Sequence, residues 1–295
     1  MEQLFDTDLV RLRRLRALQR AEPGADFLMR HVCEDLAERL SAVERRFDVA
    51  ADLFSGSAIP ATTMLASGKV GKVVRIETDQ RLLGGSAGLV APAETVPLAP
   101  ESLDLAVSLM SLQEANDVPG MLIQARRCLK PDGLFLAAMA GQGTLAELKE
   151  SLLAAEVELS GGVSPRVAPF ADVREAGALL QRAGFALPVA DVEQLTVRYD
   201  TMFGLMRDLR AMGVANPLVA RTRRPATRAF FARAAGIYAD RFSDADGRVR
   251  ATFSIIWMSG WAPHESQQQP LKPGSASVSL AKVLGDKADG PPDVQ

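Results

Sequence analysis

The stretch from Phe47 to Ala58, FDVAADLFSGSA, constrains this chain more than any other. Phe47, Val49, Ala50, Ala51 and Leu53 make an apolar run of strand type, with Asp52 near its end. Ser55, Gly56, Ser57 and Ala58 follow, all small, and the residues from Ile59 to Leu65 read as the start of a helix. Small residues after a strand let the backbone turn sharply and leave free N–H groups at the helix start, where a ligand can lie. Taken alone, the same residues are an ordinary strand–turn–helix corner.

The alternation continues downstream. KVVRIE, from Lys72 to Glu77, is a β-branched strand ending in an acid, and Thr78 to Leu83 predicts a helix. Gly84, Gly85 and Gly88 mark a loose connection before a brief strand at Leu89 to Ala91, and Pro92, Pro97 and Pro100 forbid helix after it. LDLAVSLM is a fourth strand, a helix starts at Pro119, Lys130-Pro131-Asp132-Gly133 reads as a turn, and LFLAAMA is a fifth strand apolar enough for burial on both faces. Such a βαβ series predicts a largely parallel sheet covered by helices. Beyond Gly141, Thr144 and Glu147 have capping-box spacing, and GGVSPRVAPF (161–170) is a Gly/Pro loop where the sheet would open toward a ligand. A helix at Ala171 to Ala183, a strand at Val189 to Tyr199 and a helix at Met202 to Met212 follow, the last with Phe203, Met206, Leu209 and Met212 spaced by three. A helix to about Phe242 and a strand from Arg250 to Trp261 complete the series.

The first segment, LVRLRRLRALQR (9–20), carries five arginines among leucines. Leu9, Leu12, Leu15 and Leu18 form one stripe with Arg11, Arg13 and Arg14 off it, a basic amphipathic helix suited to docking on its own domain, an acidic partner or an anionic surface. Asp26 is placed to cap a second helix, in which Leu28, Val32, Leu36 and Leu40 share a face. A second basic group, Arg221, Arg223, Arg224 and Arg228, is a solvated face or a contact for an anionic partner.

Composition narrows the function. Formal charge is −2, so the chain has no nucleic-acid signature. Only His31 and His264 are available as imidazole ligands, neither in a metal-type spacing, so no metal site is expected. Cys33 and Cys128 sit among apolar residues and read as buried thiols of a reducing compartment. With no signal peptide and no apolar run of about twenty residues, a cytoplasmic location is expected, possible contact with the inner membrane resting on the basic helix. The domain expectation is an N-terminal helical segment (1–43), an α/β domain (44–265) with inserted helices at about 200–245, and a polar tail (266–295), disordered by composition over 285–295.

Together these stretches resemble the class I S-adenosylmethionine-dependent methyltransferases. More closely they resemble the mitochondrial complex I assembly factor 5 group and its bacterial relatives, themselves similar to the malonyl-carrier methyltransferase of biotin synthesis. LFDTDL, SLDLAVSLMSLQEANDVPGML, RRCLKPDGLFLAAM, GQGTLAELKESLLAAE, GGVSPRVAPF and GWAPHESQQQPLKPGSASVSL carry the resemblance. It implies a Rossmann-like fold, a mostly parallel seven-stranded sheet with flanking helices, and S-adenosyl-L-methionine at its carboxyl edge. By position, Asp52, Ser55, Gly56 and Glu77 are the implied cofactor-binding residues, and a carboxylate at Glu77 suits two ribose hydroxyls. Arg166 and Tyr199 are candidates near the substrate. Phe54 and Ala58 stand where the family loop has glycine, Pro92 where an acid would hold the adenine amine, and Gln113 where a histidine is common. Donor affinity lowered roughly ten- to a hundredfold is expected from these departures. The implied function is a methyltransferase-like protein acting on a protein substrate, such as a complex I subunit. The alternatives are an arginine hydroxylase of such a subunit and a non-enzymatic assembly factor with a degenerate pocket.

Overall fold

The structure is a computed structural model that describes residues 3–268. Five strands form where the apolar runs place them: β1 (Phe47–Leu53), β2 (Val70–Glu77), β3 (Gly88–Val90), β4 (Leu103–Leu109) and β5 (Leu129–Ala140). Two longer strands follow, β6 (Ala186–Tyr199) and β7 (Val249–Trp261), and the sheet order is β3-β2-β1-β4-β5-β7-β6. The first five are parallel, and β7 runs antiparallel to both β5 and β6. This is the expected α/β fold. Chain order reverses between β1 and β4, which opens a crevice at their carboxyl ends.

Helices cover both faces. On one face lie α2 (Phe27–Ala42) and α3 (Ile59–Ala66); α1 (Thr7–Arg20) precedes them, and the short α4 (Gln80–Leu83) follows β2. α5 (Val118–Cys128), α6 (Ala146–Ser160), α7 (Val173–Arg182), α8 (Met202–Ala211) and α9 (Arg228–Phe242) complete the described helices. Leu28, Val32, Leu36 and Leu40 of α2 are buried with Leu105, Val107, Leu136 and Trp257, joined by residues of α6, α8 and α9. The opposite core holds Phe54, Ile76, Ala106, Leu122, Phe135 and Leu180, with Phe135 stacked on Phe185. Cys33 and Cys128 are buried and free, as their surroundings predict.

Several local expectations are corrected. Lys130 to Gly133 is no free turn: β5 runs through it with an irregular register against β4, and Asp132 takes φ 63°. Asp26 makes no side-chain cap to α2 and instead pairs with Arg30. The stripe on α1 fails, because Leu15 alone of its residues is buried while Leu12 and Leu18 are exposed. Arg13 and Arg14 turn inward in their place, since their donors satisfy carbonyls at strand and loop ends. On α8 the buried residues are Met202, Leu205, Leu209 and Ala211, and Phe203 is exposed. The tail from 269 onward, including the stretch read as disordered, lies outside the described residues.

Thr144 and Glu147 do not cap α6, whose N-cap is Leu145 at φ 55°. They clasp β7 instead: Thr144 Oγ1 accepts from Ser254 N and donates to Ser254 O, both at 3.0 Å, and Glu147 accepts from Thr252 N at 3.1 Å. The strand's backbone donors outcompete the helix's own N–H groups. The true capping box is Asp172–Glu175 on α7. Thr144→Val is therefore expected to orphan the buried Ser254 N–H and cost about 1–3 kcal/mol in urea denaturation, while Thr144→Ser stays within about 1 kcal/mol of wild type. Equal stability of the two variants would show that the clasp carries nothing.

Candidate functional site

The crevice at the carboxyl ends of β1, β2 and β4 gathers the residues that the sequence singled out. Asp52 and Glu77 are fully buried, and Ser55 nearly so. Ser55 Oγ donates to Asp52 Oδ1, and Gly56 N donates to Glu77 Oε1 at 2.8 Å. Gly56 takes φ 69°, the left-handed turn its lack of a side chain allows. The four implied residues thus meet.

A fifth residue, absent from the sequence reading, ties them together. Arg75 pairs with Asp52 in the β1–β2 register and is 1% exposed. Its Nε donates to Asp52 Oδ2 at 3.2 Å and its Nη2 to Glu77 Oε1 at 2.9 Å and Ser57 O at 2.7 Å, while Nη1 reaches Leu83 O at 3.0 Å. The signal was present: Arg75 and Glu77 are two apart on a strand and share a face. Burial pushes Asp52 up to about 6 against the pull of Ser55 and Arg75. Burial first, then the Asp52 charge, pushes Glu77 up to about 7.

Side chains of this chain crowd the turn that follows β1. Phe54 sits at φ 60° with its ring buried, and the cavity it lines with Arg14, Thr78, Ser111 and Leu112 holds about 50 Å³. Small-molecule pockets run to roughly 300–1,000 Å³, so this one takes a few waters. Arg14 of α1 lies across the turn, its Nη1 donating to Phe54 O at 2.9 Å and its Nη2 to Glu114 Oε2 at 2.9 Å. A Cβ on Gly56 would meet Arg14 Cδ at 3.5 Å. Outside lies an open polar cleft of about 440 Å³ whose wall holds Pro92, without an acceptor side chain, and Glu94, which accepts from Asn116 N and Asp117 N. Glu77 Oε2 is the one feature that suits a bound ribose: it is buried and has no hydrogen-bond partner among the described residues. The residues present thus keep the turn and the acid that suit a bound ribose, with Phe54 and Arg14 crowding the approach to them.

An apolar cavity of about 330 Å³, smaller than the polar cleft, lies between the 161–170 loop, α6, α8, α9 and the 214–222 segment. Arg166, the substrate-side candidate, lines it, held by Glu156 at 2.8 Å and lying 4.2 Å from the Phe230 ring centroid. Gln113 also lines it; its Nε2 donates to Met110 O at 2.9 Å, and its Oε1 is buried with no partner among the described residues. Tyr199 lines none of the three cavities; it packs at Gly204, where burial and Asp208 push its phenol upward.

Three potential ligand side chains do come together elsewhere. His31 and Asp35, one turn apart on α2, meet Glu193 of β6, with His31 Nε2 2.9 Å from Glu193 Oε1. Sequence spacing could not show this, because the third member comes from a distant strand. Asp35 accepts from Trp257 Nε1 at 3.3 Å, and none of the three lines a cavity described above.

Two outcomes follow from the buried network. Arg75→Met strands two buried carboxylates and should cost about 3–5 kcal/mol in chemical denaturation. Because the folded Asp52 and Glu77 bind protons more tightly than the unfolded carboxyls, their contribution is fully favourable below pH of about 4 and is lost as pH rises through about 7. Glu77→Gln should flatten that fall by on the order of 1–3 kcal/mol in unfolding measured from pH 4 to 8. An unchanged pH profile would show that Glu77 is not held protonated.

A methyltransferase-domain family profile matches residues 52–137. The human protein named "Arginine-hydroxylase NDUFAF5, mitochondrial" is 37% identical over 289 residues, covering 95% of this chain and 83% of that protein. The malonyl-[acyl-carrier protein] O-methyltransferase of Laribacter hongkongensis is 30% identical over 295 residues, covering 93% of this chain and 96% of the relative. Among solved structures, the YcgJ protein of Bacillus subtilis matches with a TM-score of 0.55 at 14% identity, over 78% of this chain and 99% of that one, a likeness of fold alone. The chain belongs to the methyltransferase-domain family that includes the NDUFAF5 proteins and the malonyl-[acyl-carrier protein] O-methyltransferases.

Proposed function

We propose that this chain is a non-catalytic binding protein of respiratory complex I assembly, built on a methyltransferase fold whose donor slot its own side chains close. The observation that carries this reading is the occupied slot: Phe54 buried in it, Arg14 across it, and Gly56 N bonded to Glu77. A donor would have to break the Gly56–Glu77 bond and displace Arg14 from Phe54 O and Glu114. Those losses amount to about 3–6 kcal/mol, roughly a hundred- to ten-thousandfold in affinity. Action then passes to the apolar 330 Å³ cavity; it and the polar cleft of about 440 Å³ both have the size of a ligand site, and the apolar lining favours the former. The assembly role rests on the family likeness.

A second reading, a methyltransferase that still engages its donor, is favoured by the unpartnered Glu77 Oε2 and the left-handed Gly56 turn. The printed name of the NDUFAF5 relatives supplies a third, hydroxylation of arginine.

Complementation separates the first reading from the others. In a strain lacking this gene and deficient in complex I, Glu77→Gln should restore complex I to the wild-type level. Met206→Trp, which fills the apolar cavity, should restore less than a tenth, with both variants folded by circular dichroism. Loss of rescue in Glu77→Gln alone would return the function to the donor slot.

A further inference from the structure

Between α2 and β6, the strand at the sheet edge, lies a polar cluster that no cavity uses. His31 and Asp35, four apart, share a face of α2, and Asp191 and Glu193, two apart, share a face of β6. Trp257 of β7 joins the two elements. It pairs with Asp191 in the strand register, is 1% exposed, and donates from Nε1 to Asp35 Oδ2 at 3.3 Å.

The acids of this cluster are not equally provided for. Asp191 accepts from Arg39 with both oxygens, at 2.9 and 2.6 Å, and the Arg39 guanidinium lies 4.4 Å from the Trp257 ring centroid. Asp35 and Glu193 have no lysine or arginine paired with them among the described residues. One oxygen of each and one ring nitrogen of His31 all lie within 4.8 Å of one another. His31 Nε2, 2.9 Å from Glu193 Oε1, is shared between two half-buried carboxylates. Like charges held so close call for more positive charge than one imidazole brings.

We infer that His31, Asp35 and Glu193 bind a divalent transition-metal cation, with zinc as the probe that fits their donors. One imidazole nitrogen and two carboxylate oxygens are a mixed set that zinc accepts, whereas magnesium and calcium favour oxygen alone. Zinc bonds of about 2.0–2.2 Å put tetrahedral ligand atoms roughly 3.3 Å apart. The His31–Glu193 separation is already near that, and Asp35 has to close by only a side-chain rotation. The Trp257 bond orients Asp35 as an outer partner orients a metal-bound carboxylate. Three protein donors leave a tetrahedral ion one position for water, and the His31 and Glu193 side chains, 28% and 37% exposed, leave it a path from solvent. The bound ion ties α2 to the sheet edge. Its site stands apart from the cavities and is tested independently of the function assigned to them.

The test is titration calorimetry of the full chain, freed of metal with a chelator, with zinc chloride and with magnesium chloride. Zinc should bind saturably at one per chain, at least about tenfold more tightly than magnesium. The chain has two histidines, so His264→Gln is the control for His31→Gln. His31→Gln and Glu193→Gln, both folded by circular dichroism, should each weaken zinc about tenfold or more, and His264→Gln should leave it unchanged. Zinc should also raise the melting temperature of the wild type and not that of His31→Gln. No saturable zinc binding, magnesium bound as tightly, a zinc affinity unmoved in either folded variant of the cluster, or binding lost with His264→Gln would each overturn the inference.

Discussion

The fold at its functional edge depends on one buried cation. Arg75 is enclosed by the carboxyl ends of β1 and β2 and answers two carboxylates and two carbonyls at once. Burying a guanidinium is costly, and its donors offset that cost because acceptors of fixed position surround it. The consequence is geometric. With Nη2 on Ser57 O and Glu77 together, the small-residue turn is held against the acid at the end of β2 rather than standing off from it. The turn and the acid at the end of β2 are joined directly by the Gly56–Glu77 hydrogen bond.

The N-terminal helix ties the turn after β1 to the apolar cavity. Arg14 reaches Phe54 and Glu114, Arg11 reaches Asp79, and Arg13 reaches the 214–222 segment. One helix therefore crosses the turn after β1 with Arg14 and lines the apolar cavity with Arg13. A solvated basic face would have left these arginines exposed. Instead they carry the docking that leucines were expected to carry, since carbonyls at strand and loop ends need donors more than the helix needs another apolar contact.

The sheet was legible because parallel strands buried on both faces read as unbroken apolar runs, as LFLAAMA does. Asp52, Ser55, Gly56 and Glu77 were legible because they lie within one strand–turn–helix corner and the end of the next strand. Arg75 was legible in principle through strand alternation with Glu77. Arg14 and Glu114 were not, since they are 100 residues apart and only the packing of α1 joins them. Thr144 and Glu147 misled for a related reason: a local capping pattern was overridden by the backbone donors of a strand more than a hundred residues away.

The central claim is that the donor slot is closed by the chain itself, and calorimetric titration of the wild-type protein with S-adenosylhomocysteine tests it most directly. The closed slot predicts no saturable heat up to about millimolar ligand, and the appearance of binding only when Phe54→Gly and Arg14→Ala are combined. Saturable one-to-one binding to the unmodified chain at micromolar ligand would contradict the account.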